Sequence, residues 1–253
     1  MEWSPKDHFE YLVRLADTNL VLGHRMSEWL GEAPVIEEEL ALANIGLDLI
    51  GQARSLYARA IAVNPDGRDE DDLVFLRDTH EYRNFLLVER ENGDFAVTMV
   101  RQALYSIFAH LQWEGLTRSA DTELAAIASK AVKESAYHVR HSCEWLIRLG
   151  DGTGESHERT QKAVDDLWFY TGEMFASDDI ERAAIAAGVG VDPAALKPQW
   201  DETVSECFAQ ATLERPADGW MIDGGREGRH TEHLGHLLAE MQFLQRAYPG
   251  QKW

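Results

Sequence analysis

The chain has 253 residues, 45% hydrophobic and 27% charged, with a formal net charge of −20. That excess of carboxylates repels polyanions and no basic stripe offsets it, which excludes DNA and RNA as partners. No apolar run approaches the ~20 residues of a membrane span, and MEWSPKDHFEYLVRLAD lacks a secretory signal's charged start and continuous apolar run, so a cytoplasmic protein without membrane contact is expected.

Ser4-Pro5 offers an N-cap and a proline at the first helical position, opening a helix to about Trp29, where Gly31 and Pro34 stop it. A second helix covers roughly 35–63 and ends at Asn64-Pro65. An acidic cap in DEDDLVFLRD starts a short helix near 70–78, and a further short one is expected over 80–87. After the ENGD turn, long helices are predicted at about 94–119 and 121–149, closed by the glycine-rich LGDGTGES. Helices over 156–176, 178–187 and 193–212 follow. The loop ERPADGWMIDGGREGR then leads into a last helix over 230–247. A loop of that length tends to be functional or to pack on something.

Period-two alternation is absent and β-branched residues are sparse, so the fold class is all-α. Long helices joined by short turns read as an antiparallel bundle with additional short helices, one domain over 1–253. Cys143 and Cys207 each sit in a helical pattern and suit reduced core thiols better than a disulfide or zinc framework. The acidity reads either as solubility or as complementarity to a basic partner protein.

Bundles of this size include di-iron carboxylate proteins, whose metals need a Glu from each of two helices and Glu-x-x-His from each of the other two. Of the ten histidines, one has a Glu three residues before it: His230, preceded by Glu227 across a glycine-rich loop. Ser135 stands before His138, Ile107 before His110 and Val21 before His24. A di-iron centre of that kind is not expected here. P-loop, dinucleotide and nucleophile-elbow motifs are also missing, and GDGTG after a helix is a cap and turn.

Polar residues nonetheless fall on inward-looking stripes. Glu134 and His138 share a face with Ile127, Ala131, Trp145 and Leu149, while Asn44, Asp48 and Gln52 flank Ile45, Leu49 and Leu56. These residues are candidates for a polar core standing where a di-iron site would be, with Glu134 and His138 able to satisfy each other at i, i+4. Gly46 and Gly51 in the same helix would suit close approach of another backbone, in the bundle interior or at a helix-to-helix subunit contact.

In the last helix, His230, His233 and His236 step about 60° apart and cannot converge on one metal. His230 falls on a stripe with Leu234, Leu237, Leu238, Met241, Leu244 and Gln245. Thr231 or His230 is expected to cap, and the flank of His233, His236 and Glu240 is left for solvent or a neighbouring protein. A surface ion on that flank would need a ligand from elsewhere.

The runs LVLGHRMSEWLGEAP, ALANIGLDLIGQAR, KESAYHVRHSCEWLIRLGDGT, AVDDLWFYTGEMF and HTEHLGHLLAEMQFLQRAYPG, with terminal Trp253, occur in order over nearly the whole chain. Together they resemble the C-subunit family of ring-1,2-phenylacetyl-CoA epoxidases, phenylacetic acid catabolic proteins of a multicomponent oxygenase. The resemblance implies a ferritin-like fold with no catalytic, cofactor-binding or metal residues of its own. It also implies pairing with an A subunit that carries the di-iron site and epoxidises the ring with O₂ and electrons from an NADPH-dependent reductase subunit. A homodimer in the absence of that partner stays open. Two other readings stand beside it: an independent metal-binding bundle using His138, Glu134 and Asp48, and an acidic interaction protein outside this pathway.

Overall fold

Helix α1 (Pro5–Ser27) begins on a reciprocal cap, in which the Asp7 amide donates to Ser4 Oγ at 3.2 Å and the Ser4 amide to Asp7 Oδ2 at 3.1 Å. The computed structural model describes residues 3–251; Trp253, which shares in the family resemblance, lies outside them. Helix α2 (Ile36–Val63) packs back along α1. Two glycines set how closely: a Cβ on Gly46 would sit 3.2 Å from the Gly23 carbonyl oxygen, and one on Gly23 would sit 2.8 Å from Ile50 Cγ1. Glycine at Gly46 therefore serves the bundle interior. At Gly51 a Cβ would meet nothing within 4 Å, so no backbone of the bundle itself comes close there.

Helices α3 (Glu70–Phe75) and α4 (Leu86–Glu89) are short pieces on the crossing from α2 to α5 (Phe95–Leu116). Helix α5 pairs with α6 (Thr122–Gly150), and α6 meets α2, which joins the two hairpins. Helices α7 (Gly154–Trp168) and α9 (Pro193–Gln210) pack on α5 and α6, while α8 (Asp179–Ala186) packs on α1. Helices α10 (Glu232–Met241) and α11 (Phe243–Ala247) end the described chain. Among the described residues there is no strand, and the architecture is all-α, consistent with a ferritin-like helical bundle.

Burial explains the centre. Helix α5 is apolar nearly all round and is buried on most sides, as expected of a helix surrounded by others. Beside it Trp168 stacks near Trp200 at 5.7 Å between ring centres, Phe175 meets Trp200 at 5.1 Å, and the Trp200 indole donates to the Leu104 carbonyl at 2.9 Å. Cys143 and Cys207 are free thiols that the fold brings side by side, Cys207 Sγ lying 4.0 Å from the Cys143 carbonyl oxygen. No helix among the described residues is long and apolar enough to cross a membrane.

Three predicted helices are shorter than their periodicity indicates, each where side-chain hydrogen bonds take over from the helical pattern. The expected 80–87 helix is a 3-10 turn (Thr79–Glu81) and the single turn α4, because side-chain carboxylates take the Arg83 and Leu86 amides. The expected 156–176 helix ends at Trp168, where Thr171 Oγ1 donates back to the Trp168 carbonyl at 2.8 Å and a 3-10 turn (Gly172–Phe175) follows. The closing helix starts after Thr231 and breaks at Gln242. Gln242 is buried, its amide bonding the Val74 and Arg77 carbonyls at 3.0 Å each, while Leu244, expected inward, is 48% exposed.

Candidate functional site

The α2–α6 seam holds the polar residues singled out by periodicity. Its side chains meet in cross-helix pairs: Gln52 Nε2 donates to Glu134 Oε2 at 2.8 Å, His138 Nε2 lies 3.1 Å from Asp48 Oδ2, and His141 Nε2 lies 2.8 Å from Glu38 Oε2. Glu134 also accepts a Lys130 ion pair at 3.2 Å. The expected Glu134–His138 contact within α6 is thus replaced by separate partners on α2 and α6. Asn44 is exposed and stands outside the network, a correction to its place in the polar core. The helical row is real, but Asn44 lies at its solvent edge.

A two-metal carboxylate centre requires acids that converge on a shared point. Here Ser135 brings a hydroxyl where the pattern needs a carboxylate, and that hydroxyl lies 3.0 Å from His110 Nδ1. Among the described residues no group of three or more His, Cys, Asp or Glu is arranged to hold a metal ion. The donor set of the seam does not fit the di-iron group of ferritin-like oxygenases. Nor does the lone Glu-x-x-His sequence form a pair: Glu227 binds Arg229 on the surface, and His230 turns inward to Glu89.

The most constrained chemistry lies elsewhere, around three buried carboxylates. Asp17, in the apolar run LVRLADTNLVL, is wholly buried and accepts from Tyr57 Oη at 2.5 Å, Arg77 Nη1 at 3.1 Å and the Arg83 amide at 2.8 Å. Burial opposes the Arg77 charge, but Asp17 holds it firmly protonated, and burial with the Asp17 charge pushes the Tyr57 phenol well up. Glu89, also wholly buried, accepts from Asn84 Nδ2 at 2.8 Å and the Thr231 amide at 2.6 Å, with His230 Nδ1 at 2.7 Å. Burial works against a charged His230, yet the Glu89 hydrogen bond and charge raise its pKa above the ordinary value. Glu173 accepts the Leu86, Gly224 and Arg226 amides at 2.9, 3.1 and 3.3 Å.

These acids tie the 77–92 crossing and the 222–231 loop to α1. The loop fits because Gly225 and Gly228 face the Asn84 and His80 carbonyls, where any Cβ would collide, and Gly228 has φ +78°. Arg226 reaches under it, donating to the Arg14 and Arg83 carbonyls at 2.9 and 2.6 Å over the Phe85 ring. The second half of the long loop therefore packs on the bundle, while residues 217–220 are exposed. Thr231 occupies the N-cap position of α10 but its side chain makes no capping bond; its own amide donates to Glu89. His233 is half-buried, while His236 and Glu240 are exposed, as expected for that flank.

Sequence periodicity missed this knot because its members come from five separate segments. The available signal was an acid embedded in each of three apolar runs: LVRLADTNLVL, FLLVER and YTGEMF. A further buried charge, Arg101, pairs with no carboxylate among the described residues; burial and the nearby Arg25 charge push its pKa down to about 9. Its guanidinium bonds the Arg90 carbonyl and Asn92 Oδ1 instead.

Against known proteins, a family model described as Phenylacetic acid catabolic protein matches residues 2–253. The C subunit of 1,2-phenylacetyl-CoA epoxidase from Escherichia coli (strain K12) is 47% identical over 243 residues, covering 96% of this chain and 98% of that protein.

Proposed function

Because the chain belongs to the phenylacetic acid catabolic protein family, we propose that it is a non-catalytic structural and regulatory subunit of a multicomponent phenylacetyl-CoA epoxidase. In this reading it is one cytoplasmic helical domain that pairs with, and supports, a di-iron catalytic A subunit. The oxygen chemistry then belongs to that partner, with electrons supplied through a reductase subunit.

The 47% identity to the C subunit of an epoxidase, over nearly the whole of both chains, supports the pathway. The observation that carries the non-catalytic role is the pairing of the seam. Glu134, Asp48 and Glu38 each face a separate partner, and Ser135 faces His110, so none of these three carboxylates stands where it would bridge two metals. A ferritin-like bundle that closes its central seam in this way keeps a rigid helix framework while leaving its outer surfaces for assembly.

The test is reconstitution. The purified chain, loaded anaerobically with Fe(II) and desalted, is expected to retain no stoichiometric iron and to consume no O₂ with phenylacetyl-CoA. Addition of the A subunit and reductase is expected to give turnover that the A subunit and reductase alone do not. Stoichiometric iron with substrate-dependent O₂ uptake by this chain alone would instead establish an independent metal-binding protein.

A further inference from the structure

Helix α2 carries an apolar face that its own bundle leaves uncovered. Ile36, Leu40 and Leu47 are 69%, 61% and 67% exposed, on a helix whose other side buries Leu42, Ile45, Leu49 and Leu56. The three fall within about 40° of one another on the helix, with Ala43 at one edge and Gly51 one turn beyond Leu47. Scattered exposed apolar residues are ordinary; a row along one helix marks a contact surface. Gly51 points the same way. Glycine weakens a helix interior, and here the fold gains nothing from it, since a Cβ would meet nothing within 4 Å. A backbone arriving from outside would.

Past Gly51 the face reaches Arg54 and opens on a cavity of about 290 Å³ between α1, α2 and α3, floored by Leu20, Ile50, Val74 and Phe75. Its margins are acidic. Glu37 and Glu39 flank the stripe on its two sides, Asp48 borders it toward α6, and Glu70 and Asp71 stand at the cavity, with Arg54 already paired to Glu70 at 3.2 Å. A second copy of this chain would bring the same carboxylates against themselves, which disfavours a symmetric pairing.

We propose that the outer face of α2, from Ile36 through Gly51 to the adjoining cavity, docks a helix of a different polypeptide, apolar on its contacting stripe and rich in lysine or arginine along its edges. A large apolar side chain of that helix fills the cavity. The assignment rests on the pairing proposed under the function, in which that polypeptide is the catalytic A subunit.

The experiment uses the full chain and the catalytic A subunit, with binding followed by titration calorimetry and light scattering. Leu40→Glu with Leu47→Glu is expected to weaken the dissociation constant at least 100-fold, with the helical spectrum and Tm of the isolated variant unchanged because both residues are exposed. Gly51→Leu is expected to weaken binding without lowering Tm, and Phe243→Glu, on the exposed face of α11, to leave binding intact. Affinity is expected to fall as salt rises. Wild-type affinity in the double variant would overturn the α2 assignment while pairing itself stood. No binding by the wild-type chain would remove the pairing reading and this occupant with it. A wild-type homodimer dissociated by the double variant would replace the proposal with a second copy, and a salt-independent affinity would overturn the basic-edged helix.

Discussion

At the α2–α6 seam and in the knot behind α1, acids meet polar partners, yet the two arrangements hold different things. Seam carboxylates face side chains on the neighbouring helices, and Asp48 keeps a third of its side chain in solvent. Knot carboxylates are buried almost completely, and each binds several donors, backbone amides among them. A pair of helices already satisfies its own backbone, so a polar contact between them adjusts fit. An irregular crossing does not, and every buried amide it leaves open needs an acceptor. The knot is where removing one acid exposes the most unmet need.

The largest effect is expected at Asp17. Asp17→Ala strands a buried Arg77 guanidinium, the Tyr57 hydroxyl and the Arg83 amide, and should cost about 3–5 kcal/mol of stability in urea unfolding. A loss below about 1 kcal/mol would show that the knot is no tighter than the seam. Glu89→Gln keeps the shape but removes the charge that His230 and Thr231 use, with an expected cost of about 1.5–3 kcal/mol. The His230 part of that cost has a pH signature. Because the folded state raises the His230 pKa, its stabilisation is fully present below the unfolded value of about 6.5 and is lost as pH rises through the folded value. Urea titrations from about pH 5.5 to about pH 8.5 should therefore show the wild-type advantage shrinking toward alkaline pH; a constant difference would remove His230 from the account.

At the seam the effects should be smaller. A double-mutant cycle on Asp48→Ala and His138→Ala is expected to give a coupling of no more than about 1 kcal/mol, given the exposure of Asp48. Iron content measured by mass spectrometry should be the same in all four proteins of the cycle. The smallest change is expected for His233→Ala with His236→Ala, within about 0.5 kcal/mol in stability and with metal content unaltered. Any defect there should surface in assembly of the complex, read by co-purification.

The bundle's main helices were legible because each long helix repeats its own pattern: an N-cap at Ser4, a stop at Gly31 and Pro34, an apolar stripe along α6. Seam residues were legible for the same reason, since Asp48, Gln52, Glu134 and His138 share helical faces with core residues. Their partners were not. Periodicity places a side chain on a face but says nothing about which residue of another helix stands opposite, so it offers His138 to Glu134 where the fold supplies Gln52. Asn44 shows the same limit at the rim, where a single turn separates a buried row from solvent.

The break at Gln242 makes the point most sharply. Leu244 continues the apolar stripe of α10, and local pattern alone carries the helix through it. What interrupts it is the demand of the Val74 and Arg77 carbonyls, some 165 residues away in sequence, for the Gln242 amide. The order of helices, the missing Glu before His138 and the family were decided by residues read one segment at a time. Which acids cap which backbone, which glycine faces a neighbour and which faces open space, and which face of α2 stays uncovered were decided by contacts among segments far apart in the chain, because an amide or a cavity has no partner until the tertiary structure supplies one.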